Sequence, residues 1–397
     1  MTRRPAAHLP CLRVLGTEIT LIDTLRRQAE AELDIEIVFE KLDFIDAQRK
    51  AATEPDSFDV YDQCFHSLDI VWFWRAIQPI ALDRITRWGS VSPLTKTGRI
   101  GPAASAGRGD APARKLYVQP DSALSSRPSD RISMLPTVHN LDSFSYLADV
   151  FPDRQPDHAS WAWLFDPEAR GSVALVNEPA IGVFDAALAF EARGELTFSD
   201  IGNMTVAEID ALMARLSDRR REGWFAGLWR TSADAARGMA ERRAGVGSMW
   251  SPGTVALLEA GVPIREAVPR EGYRAWHSGL CLSARLEGAR LDLAYRYLNW
   301  WLEGTAAPAM ARQGLYMSVP ERARTHMEPD EWSYWYDGLP APRDLPGPNG
   351  RTVIPAGAAR AGGSYGERAS RISVWNTTMD EYNYLARHWA RFAGSFA

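Results

Sequence analysis

The residues best suited to chemistry sit in short polar clusters, each placed where an apolar run ends. Trp276-His277-Ser278 follows Arg274 by two residues. A guanidinium there could clamp a carboxylate through two parallel hydrogen bonds, with a salt bridge to Glu271 or a neighbouring acid as the competing use. His277 and Ser278 do not form a nucleophile–base pair, because adjacent strand residues point to opposite faces. Asn177 and Glu178 stand just before Pro179, beside the free N–H donors of a helix start. Capping explains them, and ligand contact would be additional. His139-Asn140-Leu141-Asp142 offers polar side chains that either face a cleft or satisfy one another. Trp250-Ser251 ends another apolar run, and Trp250 and Trp276 together could form aromatic walls of a pocket. Gly16-Thr17-Glu18 and Gln63 complete the set of candidate binding residues, near the outlets of the first and third strands.

Enzyme signatures are scarce. Ser278 in WHSGL lacks the first glycine of a nucleophile elbow, and neither HExxH nor a phosphate-binding loop occurs. Gly107-Arg108-Gly109 lacks both the third glycine and the strand–helix setting of a dinucleotide fingerprint. Cys11, Cys64 and Cys281 are widely spaced, with no CxxC or zinc spacing, so no structural metal is expected. A single disulfide stays open, its pair unassigned. No catalytic residue and no cofactor is expected. The 397 residues carry a net charge of −5, which gives no footprint for nucleic acid. No apolar run approaches the length needed to cross a bilayer.

These clusters need elements to position them. At this length two or three lobes are expected. Leu12 to Leu15 reads as a strand, followed by a turn, a helix from about Ile19 to Leu33, and a second strand from Ile35 to Phe39. This order implies a parallel pair, since a helix of this length is the usual crossover. Phe58 to Tyr61 is a third strand, with Asp62, Gln63 and His66 at its outlet. Residues 89–131 read as a surface excursion or lid with one short strand at Lys115 to Val118. Ile132 to Tyr146 is extended. Ser172 to Val176 is a buried strand running into a helix that opens at Pro179 and stops before Gly194. Thr205 and Glu208 have capping-box spacing ahead of a helix from Val206 to about Arg220. Val246 to Trp250 is a strand, and Ser251 opens a further helix. Ile264 to Val268 and Trp276 to Leu282 flank a turn at Pro269 to Tyr273. From Asp292 onward the chain reads as mostly helical, with the WSYWY run at Trp332 to Tyr336 packing rather than binding.

The motifs, in this order, resemble one family. FDVYDQ, AIQPI, SWAWLFDP, LTFSDIGNMT, GVGSMWSPGT, VPREGYRAWHSGLCLSA and AYRYLNWWLEG with RQGLYMSVPE run through nearly the whole chain from Leu12. They resemble bacterial ABC-transporter solute-binding proteins, and within them the spermidine- and putrescine-binding group. The resemblance implies an α/β, two-lobed periplasmic-binding-protein type II fold, each lobe a mixed sheet flanked by helices, with a helical C-terminal region. It places residues 11–138 with 274–305 in lobe one, 139–273 in lobe two, and 306–397 against both. It implies a monomeric receptor that captures a small polar solute between hinged lobes in the periplasm and delivers it to an inner-membrane permease. An exported member needs a leader. The N-terminal MTRRPAAHLPCLRVLG has twin arginines but no apolar stretch behind them, so a leader is expected upstream of this mature-like start. The alternative is a cytoplasmic sensor or enzyme on the same fold.

The chain departs from the group at its ligand positions. Pro179 and Gly182 stand where polyamine binders carry acids, leaving Glu178 nearby. Trp276-His277-Ser278 stands where they carry a tryptophan two residues before an aspartate, and Gly16-Thr17-Glu18-Ile19 replaces their early aromatic pair. Glu18 and Asp142 are the other carboxylates in reach. The expectation is a neutral polyol-like or carboxylate-bearing solute, not a polyamine.

Overall fold

The apolar runs near Leu12, Ile35 and Phe58 become three parallel strands, Cys11–Gly16 (β1), Glu36–Lys41 (β2) and Val60–Cys64 (β3), with β1 in the middle. The computed structural model describes residues 9–109 and 113–396. Helix Asp23–Leu33 (α1) crosses from β1 to β2, and Phe44–Thr53 (α2) from β2 to β3. α1 starts four residues later than the apolar pattern suggests, because Thr17 to Thr20 form a turn in which Leu21 N–H bonds the Thr17 carbonyl. β3 begins and ends later too, so Asp62 and Gln63 lie inside the strand and Cys64 is its outlet.

Both lobes are assembled from distant segments. Leu135–Asp142 (β4) belongs to the first sheet. One residue later Phe144–Leu147 (β5) belongs to the second, with Val173–Val176 (β6), Phe225–Trp229 (β7), Val246–Ser248 (β8) and Ile264–Glu266 (β9) in the order β7-β6-β8-β5-β9. Tyr273–Ser283 (β10) returns to the first sheet, antiparallel to β3 on one side and to β4 on the other. Tyr316–Met317 (β11) flanks β4, and Ile372–Trp375 (β12) pairs in parallel with the opening of β10. Each sheet is therefore mixed, and helices cover it.

The second lobe carries Pro179–Ala192 (α3), Val206–Arg221 (α4), Ser232–Ala240 (α5) and Ser251–Glu259 (α6). α3 is buried on all sides from Ala180 to Phe190, as expected of a helix without a polar face. α4 has the full Thr205/Glu208 capping box. In the first lobe Gly288–Leu302 (α7) packs Leu293, Tyr297, Leu298 and Trp301 into the core.

Two further features differ from the sequence reading. Lys115 to Val118 is not one strand: Ala113–Leu116 is a helical turn and only Tyr117–Val118 is extended, in a small four-stranded sheet with segments near residues 80, 124 and 131. The C-terminal stretch is also less helical than expected. After β12 the chain crosses between the lobes a third time, and Tyr382–Gly394 (α8) packs Leu385, Trp389 and Phe392 into the second lobe beside Phe184, Leu212 and Phe225. The WSYWY run does form a helix, Pro329–Trp335, with Tyr334 and Trp335 buried and Trp332 stacked on Tyr336 at 4.1 Å. No helix of the described residues is long and apolar enough to cross a membrane. Cys11, Cys64 and Cys281 are unpaired thiols.

Candidate functional site

A cavity of about 330 Å³ lies where the two lobes face one another. Its size falls within the range of small-molecule sites. On the first-lobe side its wall is the turn after β1 (Thr17, Glu18, Ile19), the turn from β2 into α2 (Lys41 to Phe44) and Cys64 at the end of β3. Trp276 and Ser278 add the face of β10. From the second lobe come Ile181 in the first turn of α3, Arg230 and Thr231 between β7 and α5, and Trp250 ahead of α6. Asn376, on the third crossing, closes the back. Every one of these strand-to-helix outlets sits at a strand's carboxyl end, the place where open α/β sheets bind ligands.

The walls are aromatic and held from behind. Trp276 Nε1 donates to Asp142 Oδ2 at 2.6 Å. Asn140 Nδ2 donates to Asp142 Oδ1 at 2.9 Å and to Ser251 Oγ at 2.6 Å. A hydrogen-bonded chain thus runs from one aromatic wall, through the first crossing, to the residue next to Trp250 on the other. Trp250 meets Trp229 edge-on at 4.9 Å, and Phe44 stacks on His66 at 5.0 Å. Cys64 Sγ and Ser278 Oγ lie 3.3 Å apart, and burial pushes the Cys64 thiol up to about 12, so it stays protonated. At the mouth, Arg230 comes within 3.9 Å of Asp43 across the lobes.

The residues singled out from sequence divide into three groups. Thr17, Glu18, Trp250 and Trp276 line the cavity. Asn140, Asp142 and Ser251 stand directly behind it as the chain just described. Gly16, Gln63, His139, Asn177, Glu178, Arg274 and His277 do not line it. Gly16 lies beneath the floor, where an added Cβ would stand 2.8 Å from the Asp62 carbonyl oxygen, so only glycine lets β1 approach β3 there. Gln63 is buried between Ser67 and Cys281. His139 shares a 3.0 Å hydrogen bond with the Tyr365 hydroxyl. Asn177 accepts from Trp389 Nε1 at 3.0 Å. His277 stacks on Phe65 at 4.4 Å, and strand alternation turns it away from the face that Trp276 and Ser278 share.

Arg274 is the largest departure. It is fully buried, and its Nε donates to Asp185 on α3 at 2.7 Å while a terminal nitrogen donates to Asn376 Oδ1 at 3.1 Å. Asp185 also receives the Ser248 hydroxyl. The acid that engages Arg274 is therefore in the opposite lobe, and Arg274 joins the lobes at the crossings. Glu271 instead receives Ser160 Oγ and the Trp161 N–H.

Asp142, Glu178 and Asp185 are buried around this junction, and Asp62 is buried beside Thr20 in the first lobe. Burial raises Asp142 and Asp62 to about 7 and Glu178 to about 8, and it raises Asp185 against the pull of Arg274. Burial likewise lowers His66 and His139 to about 3, so both imidazoles are neutral.

Sequence reasoning passed over Lys41 to Phe44, Cys64, Ile181, Arg230, Thr231 and Asn376. A signal was present for some. Asp43 is an N-cap directly after a strand, accepting from Asp46 N–H at 2.9 Å, and Thr231 caps α5 in the same setting. Asn376 gave none, since its place depends on the third crossing.

Comparison with known proteins places this geometry. A family model described as bacterial extracellular solute-binding protein matches residues 24–335, most of the chain. Among solved structures, the PotD lipoprotein of Treponema pallidum is 10% identical with a TM-score of 0.65, covering 96% of this chain and 99% of its own. The spermidine/putrescine ABC transporter substrate-binding protein PotD of Streptococcus pneumoniae is 12% identical with a TM-score of 0.62, covering 97% and 99%. The PBP MotA of Agrobacterium tumefaciens, solved with glucopine, is 11% identical with a TM-score of 0.60, again covering 97% and 99%. At these identities the structures establish the two-lobed fold. No curated protein matches the sequence. The family supports a receptor and lends no support to a cytoplasmic sensor or an enzyme. With a cavity walled by both lobes and a family match across most of its length, the chain belongs to the bacterial extracellular solute-binding proteins, the receptor components of ABC importers.

Proposed function

We propose that this receptor works as a monomer in the periplasm, closing its lobes over one small polar solute and presenting the closed form to an inner-membrane permease. The observation that carries the reading is the cavity itself: its walls come from both lobes of one chain, so a solute held there favours their approach. Lobe one is residues 11–142 with 273–305 and lobe two is 143–272, a boundary four residues beyond the 138/139 expected from sequence because β4 stays in the first sheet to Asp142; 306–397 lies against both.

The solute is not spermidine or putrescine, although relatives of the same fold carry those names. A closed-in dication needs carboxylates around it, because a buried unpaired charge costs several kcal/mol. Glu18 and Asp43 are the two carboxylates in the cavity lining, and Asp43 already caps α2 and faces Arg230. Glu178, Asp62 and Asp142 are buried outside it. Titration calorimetry with both polyamines checks this: no submicromolar binding is expected, and such binding would overturn the exclusion.

A further inference from the structure

The charges at the rim of the cavity are unequally occupied. Lys41 Nζ lies 3.1 Å from Asp23, and Asp43 accepts from the Asp46 N–H. Two remain. Glu18, from the first lobe, has no hydrogen bond or ion pair to any described residue. Arg230, from the second lobe, has no hydrogen bond to any described residue, and its one ionic contact is the 3.9 Å approach to Asp43. That contact is too long for a hydrogen bond, so the guanidinium keeps its donor fork free. Trp250 and Trp276 line the same space.

We propose that the solute is a zwitterion: its carboxylate docks on Arg230, its ammonium group meets Glu18, and its apolar stem lies along the tryptophans. The inference rests on the cavity being the solute site. A guanidinium matches a carboxylate bidentately, and it replaces the loose Asp43 contact with two charge-assisted hydrogen bonds. Glu18 supplies the complementary charge, with indole faces nearby to favour a cation. The other classes fit worse. A dication sets one charge against Arg230, a dianion sets one against Glu18, and a neutral solute leaves both charges unpaired as closure removes water. The two charges also lie on different lobes. One molecule that satisfies both thereby ties the lobes together.

The test is calorimetry on the wild-type chain, Arg230→Gln and Glu18→Gln. The probes are α-amino acids and linear ω-amino acids, their methyl esters, matched diamines and diacids, and xylitol and glucose as neutral solutes. Both substituted residues are exposed, and circular dichroism melts confirm that the variants fold. At least one amino acid is expected to bind ten times more tightly than its ester, diamine and diacid counterparts. Arg230→Gln should weaken it at least tenfold. Glu18→Gln should abolish the preference for the amino acid over the matched monocarboxylate. Tighter binding of a neutral solute, diamine or diacid, or amino-acid binding that Arg230→Gln leaves unchanged, overturns the zwitterion assignment and keeps the receptor reading. If no probe class binds the wild-type protein, the zwitterion assignment falls together with the reading of this cavity as the solute site.

Discussion

Glu178 shows how much a single buried carboxyl can say about a fold. In the folded chain burial holds its proton up to about pH 8, whereas the unfolded chain releases it near the ordinary value of 4.5. The folded state therefore binds the extra proton between those limits, and stability falls as pH rises through the window. Asp62 and Asp142, raised to about 7, and buried Asp185 act with the same sign. Glu178→Gln should make the fall in melting temperature shallower across the whole window from pH 4.5 to 8, with a gain of a few kcal/mol at pH 8 as the upper bound. An unchanged profile would show that Glu178 is ionised inside the fold. Sequence could place Glu178 before a helix, but not decide that it points inward. The same limit explains the arginines. Arg230 follows an apolar run and Arg274 a turn, and only the tertiary packing shows that Arg274 is sealed against Asp185 while Arg230 reaches the cavity. Trp250 and Trp276 line the cavity, a place that the sequence left no more favoured than ordinary lobe packing.

At the scale of elements, α3 is the piece on which both the cavity and the second lobe depend. Its first turn supplies Ile181 to the cavity, its middle supplies Asp185 to Arg274, and its packing is set by Gly182. A Cβ on Gly182 would lie 2.3 Å from the Val176 carbonyl oxygen and 2.8 Å from the Trp389 ring. Gly182→Ala should therefore destabilise the protein by about 1–3 kcal/mol in urea unfolding, even though alanine favours an isolated helix by about 1 kcal/mol. A neutral or stabilising result would mean that α8 can withdraw from α3 without loss. The start of α3 at Pro179, its stop before Gly194 and the capping box of α4 could be read directly, since each is a local signal. The pairing of β12 with β10 could not. It joins segments about a hundred residues apart, and although Ile372-Ser373-Val374-Trp375 alternates as a strand does, no local signal names its partner. Missing that pairing also hid the third crossing, and with it Asn376 and the docking of α8.

For the whole molecule, the links between lobes differ by where they sit. Arg274 and Asp185 are fully buried at the crossings, where losing either partner would leave a charge without compensation. Arg230 and Asp43 face each other at the mouth with Arg230 more than half exposed, a contact worth about 0.2–1 kcal/mol at most and weakened by salt. The crossings therefore hold while the mouth yields, which is the mechanical requirement of a hinge. Because the mouth contact is weak, closure should depend on the solute. At about 100 times its dissociation constant, a cognate solute should raise stability by roughly 2.7 kcal/mol. Small-angle scattering should show the radius of gyration falling with the same concentration dependence as the melting shift. Raising ionic strength should open the solute-free protein further and leave the solute-bound radius unchanged, since the bound charges are shielded from ions inside the cleft. A melting shift without compaction would mean that the solute binds lobes already fixed in place, and the hinge description would have to be abandoned.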